Sequence, residues 1–146
     1  MISKSPVVFF IGFVFPEPQS SAAGSRIIQL INFFKTQGFT VVFGSAANRS
    51  EHSFDLKSIG VVEEQLNLNS NCFDDFILKL NPNIVVFDEV FGKISNENLE
   101  MVSQFFQKIK EYFEKIFVIT HNPLVSQWAD SVVKINKDNN VSKVEQ

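Results

Sequence analysis

Short runs of nearly unbroken apolar residues alternate along this chain with segments whose apolar residues recur every three to four positions. The run Val7 to Phe15, "VVFFIGFVF", is apolar throughout apart from Gly12. A strand that faces water on one side would alternate polar and apolar residues. An uninterrupted run belongs instead to a strand covered on both faces, as in a parallel sheet flanked by helices. This alternation restricts the chain to the α/β class.

The rest of the pattern follows from that first strand. Ile27, Leu30, Ile31 and Phe34 make the stripe of a first helix over about Ala22 to Gln37, closed by Gly38. Phe39 to Phe43 reads as strand two, and Val61 to Leu68 as a weaker strand three after a polar loop. A second helix is expected from Cys72 to Leu80, with Asn71 as its cap and "NPN" as its stop. Ile84 to Phe87 is strand four. Leu99, Val102, Phe105, Phe106, Ile109 and Phe113 give a long third helix from Asn96 to Phe113. Ile116 to Thr120 is strand five, and a short helix starts at Pro123. Val132 to Ile135 is strand six, and Val141 to Val144 a short antiparallel edge strand. Right-handed crossovers favour a three-layer, Rossmann-like doubly wound sheet of order 3-2-1-4-5-6, with a flavodoxin-like order as the alternative.

The chain has 146 residues, enough for one domain, 1–146, with a substantial core. The 17 phenylalanines read as core filling, since Phe carries large apolar area and no polar tip. A net charge of −3 gives no basic footprint for nucleic acid and no polybasic membrane signal. No apolar run approaches the roughly 18 residues of a membrane span. The N-terminal run ends in Pro-Glu-Pro, which suits a buried strand better than a cleaved signal segment. The single cysteine, Cys72, fits an inert thiol in a reducing compartment. A cytoplasmic protein is expected, with its oligomeric state left open.

Ligands of parallel sheets bind at the C-terminal ends of the strands, and three sequence features meet there. The first is the loop "FPEPQSSAAGSR", which opens helix one. Its small residues Ser20, Ser21 and Gly24 allow a ligand to approach free backbone N–H groups. A capped helix start packed closely on its strand accounts for the same residues without a ligand. The second is Asp88-Glu89 in "VVFDEVFGKIS". One carboxylate can serve Mg²⁺ while its neighbour takes a proton from water. A solvated strand end is the competing explanation. The third is His121 in "FVITHNP". Glu17, between Pro16 and Pro18, is fixed in direction without an evident partner, and His52 lies in a polar loop.

Residues 85–146 resemble the C-terminal lobe of ABC-type ATPases, especially the SMC and DNA-repair branch. "VVFDEVFGKIS" is similar to their Walker B strand and D-loop, and "IFVITHNPLVSQWADSVVKI" to their H-loop region. The resemblance implies Asp88 as a Mg²⁺ ligand, Glu89 as general base, Ser95 at the D-loop position and His121 as the switch histidine. Residues 1–84 resemble the N-terminal, Rossmann-like half of GT-B glycosyltransferases, through "VVFFIGFVFPEPQSSAAGSRIIQLINFFKTQGFTVVFGSAA" and "LNPNIVVFD". That half contributes mainly the acceptor side. The chain contains no G-x-x-x-x-G-K-[ST] loop, no LSGGQ-like signature and no counterpart of a donor-binding domain. Both arginines and five of the six glycines precede strand four, consistent with two sources. The sequence thus suggests a chimera of two α/β halves, natural or engineered, serving as a scaffold without a complete active site. A weak Mg²⁺-dependent module for a small anion or nucleotide is the first alternative, and a truncated glycosyltransferase acceptor domain the second.

Overall fold

The computed structural model describes residues 4–67, 71–92, 94–139 and 141–145. Five parallel strands form the main sheet: β1 (Val7–Gly12), β2 (Thr40–Ser45), β3 (Val62–Gln65), β4 (Ile84–Asp88) and β5 (Lys115–Ile119). Their order is β3-β2-β1-β4-β5, the favoured doubly wound order over these five strands and not the flavodoxin-like alternative. The switch point therefore lies between β1 and β4, where Phe10 pairs with Val86 and Gly12 with Asp88. The fold is α/β and Rossmann-like.

The continuous apolar runs are explained by cover on both faces. Val8, Phe10, Val41, Phe43 and Val86 face Ile27 and Ile31 of α1 (Ala22–Thr36) and Leu56 of a short 3-10 turn. On the opposite face Val7, Phe9 and Val42 meet Phe73, Phe76, Ile77 and Leu80 of α2 (Asn71–Leu80). Val85 and Phe87 meet Leu99 and Phe106 of α3 (Asn96–Ile109). Phenylalanine fills this core by edge-on contact, as in Phe9 against Phe76 and Phe87 against Phe106, with ring centroids 5.5 and 5.4 Å apart. At the other end of the sheet Asn83 ties three strands. Its Oδ1 accepts from Val7 N at 2.9 Å, and its Nδ2 donates to Glu114 Oε1 at 2.9 Å.

Several boundaries differ from the sequence expectation. β1 ends at Gly12, and Phe13 and Val14 are half-exposed, because Phe13 N turns to donate to Asp88 O at 3.3 Å. α3 stops at Ile109, since the chain must turn for Glu114 N to reach Asn83 O. The helix expected at Pro123 is a single 3-10 turn, Val125–Trp128, led in by Asn122 Oδ1 accepting from Leu124 N at 3.0 Å. Strand six is shifted and does not extend the main sheet. β6 (Lys134–Asp138) instead pairs antiparallel with β7 (Val141–Glu145) in a separate hairpin. The local reason is the tight turn at Asn139, whose φ of 48° suits the left-handed positions of a two-residue hairpin loop. Leu68 of the expected strand three, the capping side chain of Asn71 and the thiol of Cys72 lie outside what the structure describes.

Candidate functional site

The site is built at the switch point, from the loop after β1, the start of α1 and the end of β4. The loop is organised around Glu17. Its carbonyl accepts from Ser20 N and Ser21 N, each at 3.0 Å, and its carboxylate accepts from Ser50 Oγ. Ser21 is the N-cap of α1: its Oγ accepts from Gly24 N at 3.0 Å. Gly24 is buried directly beneath this turn. A Cβ there would lie 2.6–2.7 Å from the backbone of Glu17, so only glycine allows the helix to approach so closely.

The polar loop after β2 packs on this turn. Phe54 N donates to Pro16 O at 2.9 Å. Arg49 lies over the Phe15 ring at 4.8 Å, pairs with Glu63 Oε2 at 2.7 Å and donates to Phe54 O at 2.9 Å. The sequence shows this segment as merely polar. It buttresses the turn from outside the cavity, through contacts between residues far apart in the chain. His52 stays exposed, beside Glu51.

The loop after β1, the start of α1 and the end of β4 line a cavity of about 230 Å³. Val14, Phe15, Pro16 and Ile27 supply apolar wall, and Ser21, Gly24, Glu17 and Asp88 supply its polar part. Three of the residues singled out in the sequence, Ser21, Gly24 and Asp88, thus converge on one space. Ser20 is exposed on the outside of the turn and does not line it. Ser95 is exposed at the N-cap position of α3, makes no side-chain capping bond and does not line the cavity either.

Asp88 and Glu89 are joined by a residue that the sequence reading did not place in the site. Arg26, in the second turn of α1, reaches across from the helix. Its Nη2 lies 3.3 Å from Asp88 Oδ1 and 3.9 Å from Glu89 Oε1. Glu89 Oε1 is also 3.1 Å from His121 Nε2, an ion pair when the imidazole is protonated. His121 itself is 88% exposed. Arg26, Asp88, Glu89 and His121 therefore form one row of neighbouring polar side chains along the strand edge. The available signal for Arg26 was its position, five residues after the cap Ser21, on the helix that follows the strand beside β4.

The electrostatics of the cluster are set by burial. The Asp88 side chain is 13% exposed. Desolvation pushes its carboxyl above the usual 3.8, opposed by the Arg26 charge and hydrogen bond and reinforced by Glu89. Glu89 follows β4 with a left-handed φ of 56°, and its N–H donates to Ile119 O at 2.9 Å. That backbone turn directs the carboxylate toward Arg26 and His121, away from the cavity lining. Its cost for a residue with a Cβ is about 1–2 kcal/mol.

No family model matches this chain, and no curated protein matches it. What the site can do is therefore judged from its own groups. A Mg²⁺ ion here would meet Asp88 with one oxygen already accepting from a guanidinium. Among the described residues no three His, Cys, Asp or Glu side chains gather as a metal-holding group. Arg26 supplies the positive charge that adjacent carboxylates require. Among the described residues no helix is long and apolar enough to cross a membrane.

Proposed function

We propose that this chain is a compact α/β scaffold, joined from a glycosyltransferase-like and an ABC ATPase-like half, without a complete catalytic apparatus. The observation that carries this reading is the position of Arg26 against both Asp88 and Glu89. In an ATPase of the resembled kind, those carboxylates serve a metal ion and a water molecule. Here a guanidinium from α1 faces them, and the sequence supplies no lysine-bearing phosphate loop. Positioning of a triphosphate then has neither its backbone cradle nor its cation. The test is turnover of ATP and of UDP-glucose by the purified chain with Mg²⁺. The expected result is no product above the protein-free rate. Hydrolysis that disappears in Glu89→Gln would overturn the reading.

A second reading, a weak binding module for a small anion or nucleotide with Mg²⁺, is favoured by the cavity beneath Ser21 and Gly24. The ionisable groups lining it, Glu17 and Asp88, are both acidic. An anion would therefore need a metal ion to bridge it to Asp88. Calorimetry with ATP and ADP, with and without Mg²⁺, separates the two readings. Heat that saturates only when Mg²⁺ is present supports the module, and a flat trace at millimolar nucleotide supports the scaffold.

A further inference from the structure

A second concave surface lies away from the strand edge, between α3 and the 3-10 turn Val125–Trp128. It is an open groove of about 340 Å³. That volume is at the lower end of the range for small-molecule sites, roughly 300–1,000 Å³. One side is a single face of α3, because Asn96, Leu99, Glu100 and Ser103 follow the i, i+3, i+4, i+7 spacing. Gln127 and Trp128 form part of the other side. Leu99 is buried and Trp128 half-buried, so the groove has an apolar base. Trp128 is held in place by Phe106 and Phe91, with centroids 5.4 and 5.9 Å away.

The polar groups define the ligand class. Asn96, Glu100, Ser103 and Gln127 contribute two carboxamides, a carboxylate and a hydroxyl. Among the described residues none of these side chains has a hydrogen bond or ion pair with the protein. The carboxamides both donate and accept, the hydroxyl does the same, and the carboxylate accepts. An apolar ligand would strip water from all four and leave them unpaired, at a cost of about 1–3 kcal/mol each. A phosphate or carboxylate would meet Glu100, the one ionised group in the lining, with like charge. A neutral ligand bearing many hydroxyl groups satisfies both constraints. Its hydroxyls donate to Glu100 and accept from Asn96 and Gln127, while its C–H face covers the indole.

We propose that this groove binds an uncharged saccharide, with Trp128 as the platform and Glu100 and Gln127 as the principal hydrogen-bonding groups. The proposal is independent of the reading of the strand edge, which lies on other residues.

Trp128 is the only tryptophan in the chain, so its fluorescence reports this groove directly. The experiment titrates the full chain with maltose, cellobiose and N-acetylglucosamine, and with UDP-glucose as a charged comparison. The expected result is a saturable change with at least one neutral sugar in the millimolar range. Its affinity should fall about tenfold in Glu100→Ala and in Gln127→Ala, both exposed positions where folding is not at stake. Circular dichroism confirms that the variants are folded. No saturable response to any of the three sugars overturns the proposal. So does a response that both variants leave unchanged. Binding that survives in both but is lost in Asp88→Asn places the sugar in the strand-edge cavity and also overturns it.

Discussion

Arg26 of α1 stands 3.3 Å from Asp88 at the end of β4, 62 positions further along the chain. The contact joins the helix after the first strand to the strand beside it, across the crevice where α/β proteins bind their ligands. Arg26 is 37% exposed on its side chain, so solvent screens part of its attraction, whereas Asp88 is 13% exposed and bears most of the cost of burial. Arg26→Ala removes the only cation that hydrogen-bonds Asp88 among the described residues. The expected loss is about 1 kcal/mol at neutral pH, with Arg26→Lys retaining part of it. Urea denaturation of the three proteins checks this. An unchanged midpoint in Arg26→Ala means that the pair contributes nothing to stability.

Asp88 makes a prediction in pH. Its folded carboxyl titrates above 3.8, the value it takes in the unfolded chain, because burial outweighs the guanidinium. Between the two values the folded state holds more protons than the unfolded state. Stability from this group is therefore fully present below about 3.8 and is lost as pH rises through the raised folded value. At neutral pH the ionised carboxylate is a burden. Asp88→Asn keeps an oxygen for Arg26 and removes the repulsion from Glu89. Its melting temperature should equal or exceed that of the parent at pH 7, and the gap should close as pH approaches 4. A variant less stable than the parent at pH 7 contradicts this assignment.

The loop around Glu17 makes a steric prediction. Alanine normally improves a helix over glycine by about 1 kcal/mol. At Gly24 the added Cβ would meet the N, C and O atoms of Glu17 at 2.6–2.7 Å, and backbone cannot rotate away as a side chain can. Gly24→Ala should therefore destabilise by about 1–3 kcal/mol despite its better propensity. Because Glu17 and Ser21 also line the cavity, the same change should weaken any ligand bound there. Chemical denaturation measures the first effect and calorimetry the second.

Much of this arrangement was legible in the sequence. The uninterrupted apolar runs required cover on both faces, which gave the class, and right-handed crossovers favoured the order that the five parallel strands adopt over the flavodoxin-like alternative. The same topology placed Ser21, Gly24 and Asp88 at one crevice. What the sequence did not reveal depends on encounters between distant residues. Arg26 has no local mark that distinguishes a partner of Asp88 from a solvated helix position. Arg49 and Ser50 lie in a stretch that reads as plain polar loop, yet they brace the turn that lines the site by reaching Phe15, Glu63 and Glu17. The expected sixth strand is instructive in the other direction. Val132, Val133 and Ile135 carry a strand-like pattern, but the tight turn at Asn139 offers a nearer partner than the edge of β5.

The hairpin gives the last prediction. Val132, Val133, Ile135, Val141 and Val144 are between 44% and 66% exposed, so β6 and β7 bury little against the rest of the protein. A two-stranded hairpin without cover is marginally stable in water. The main sheet is covered by α1, α2 and α3, and the hairpin forms a separate sheet. Removing residues 131–146 keeps the ion pair between Lys110 and Asp130, 3.1 Å long, and deletes only this exposed ribbon. The truncated chain should unfold within about 0.5 kcal/mol of the parent. It should also be more soluble, since a row of exposed valines beside open strand edges favours association between copies. Paired denaturation curves and light scattering at matched concentration test both effects. A large fall in stability would show that the hairpin is an integral layer of the fold.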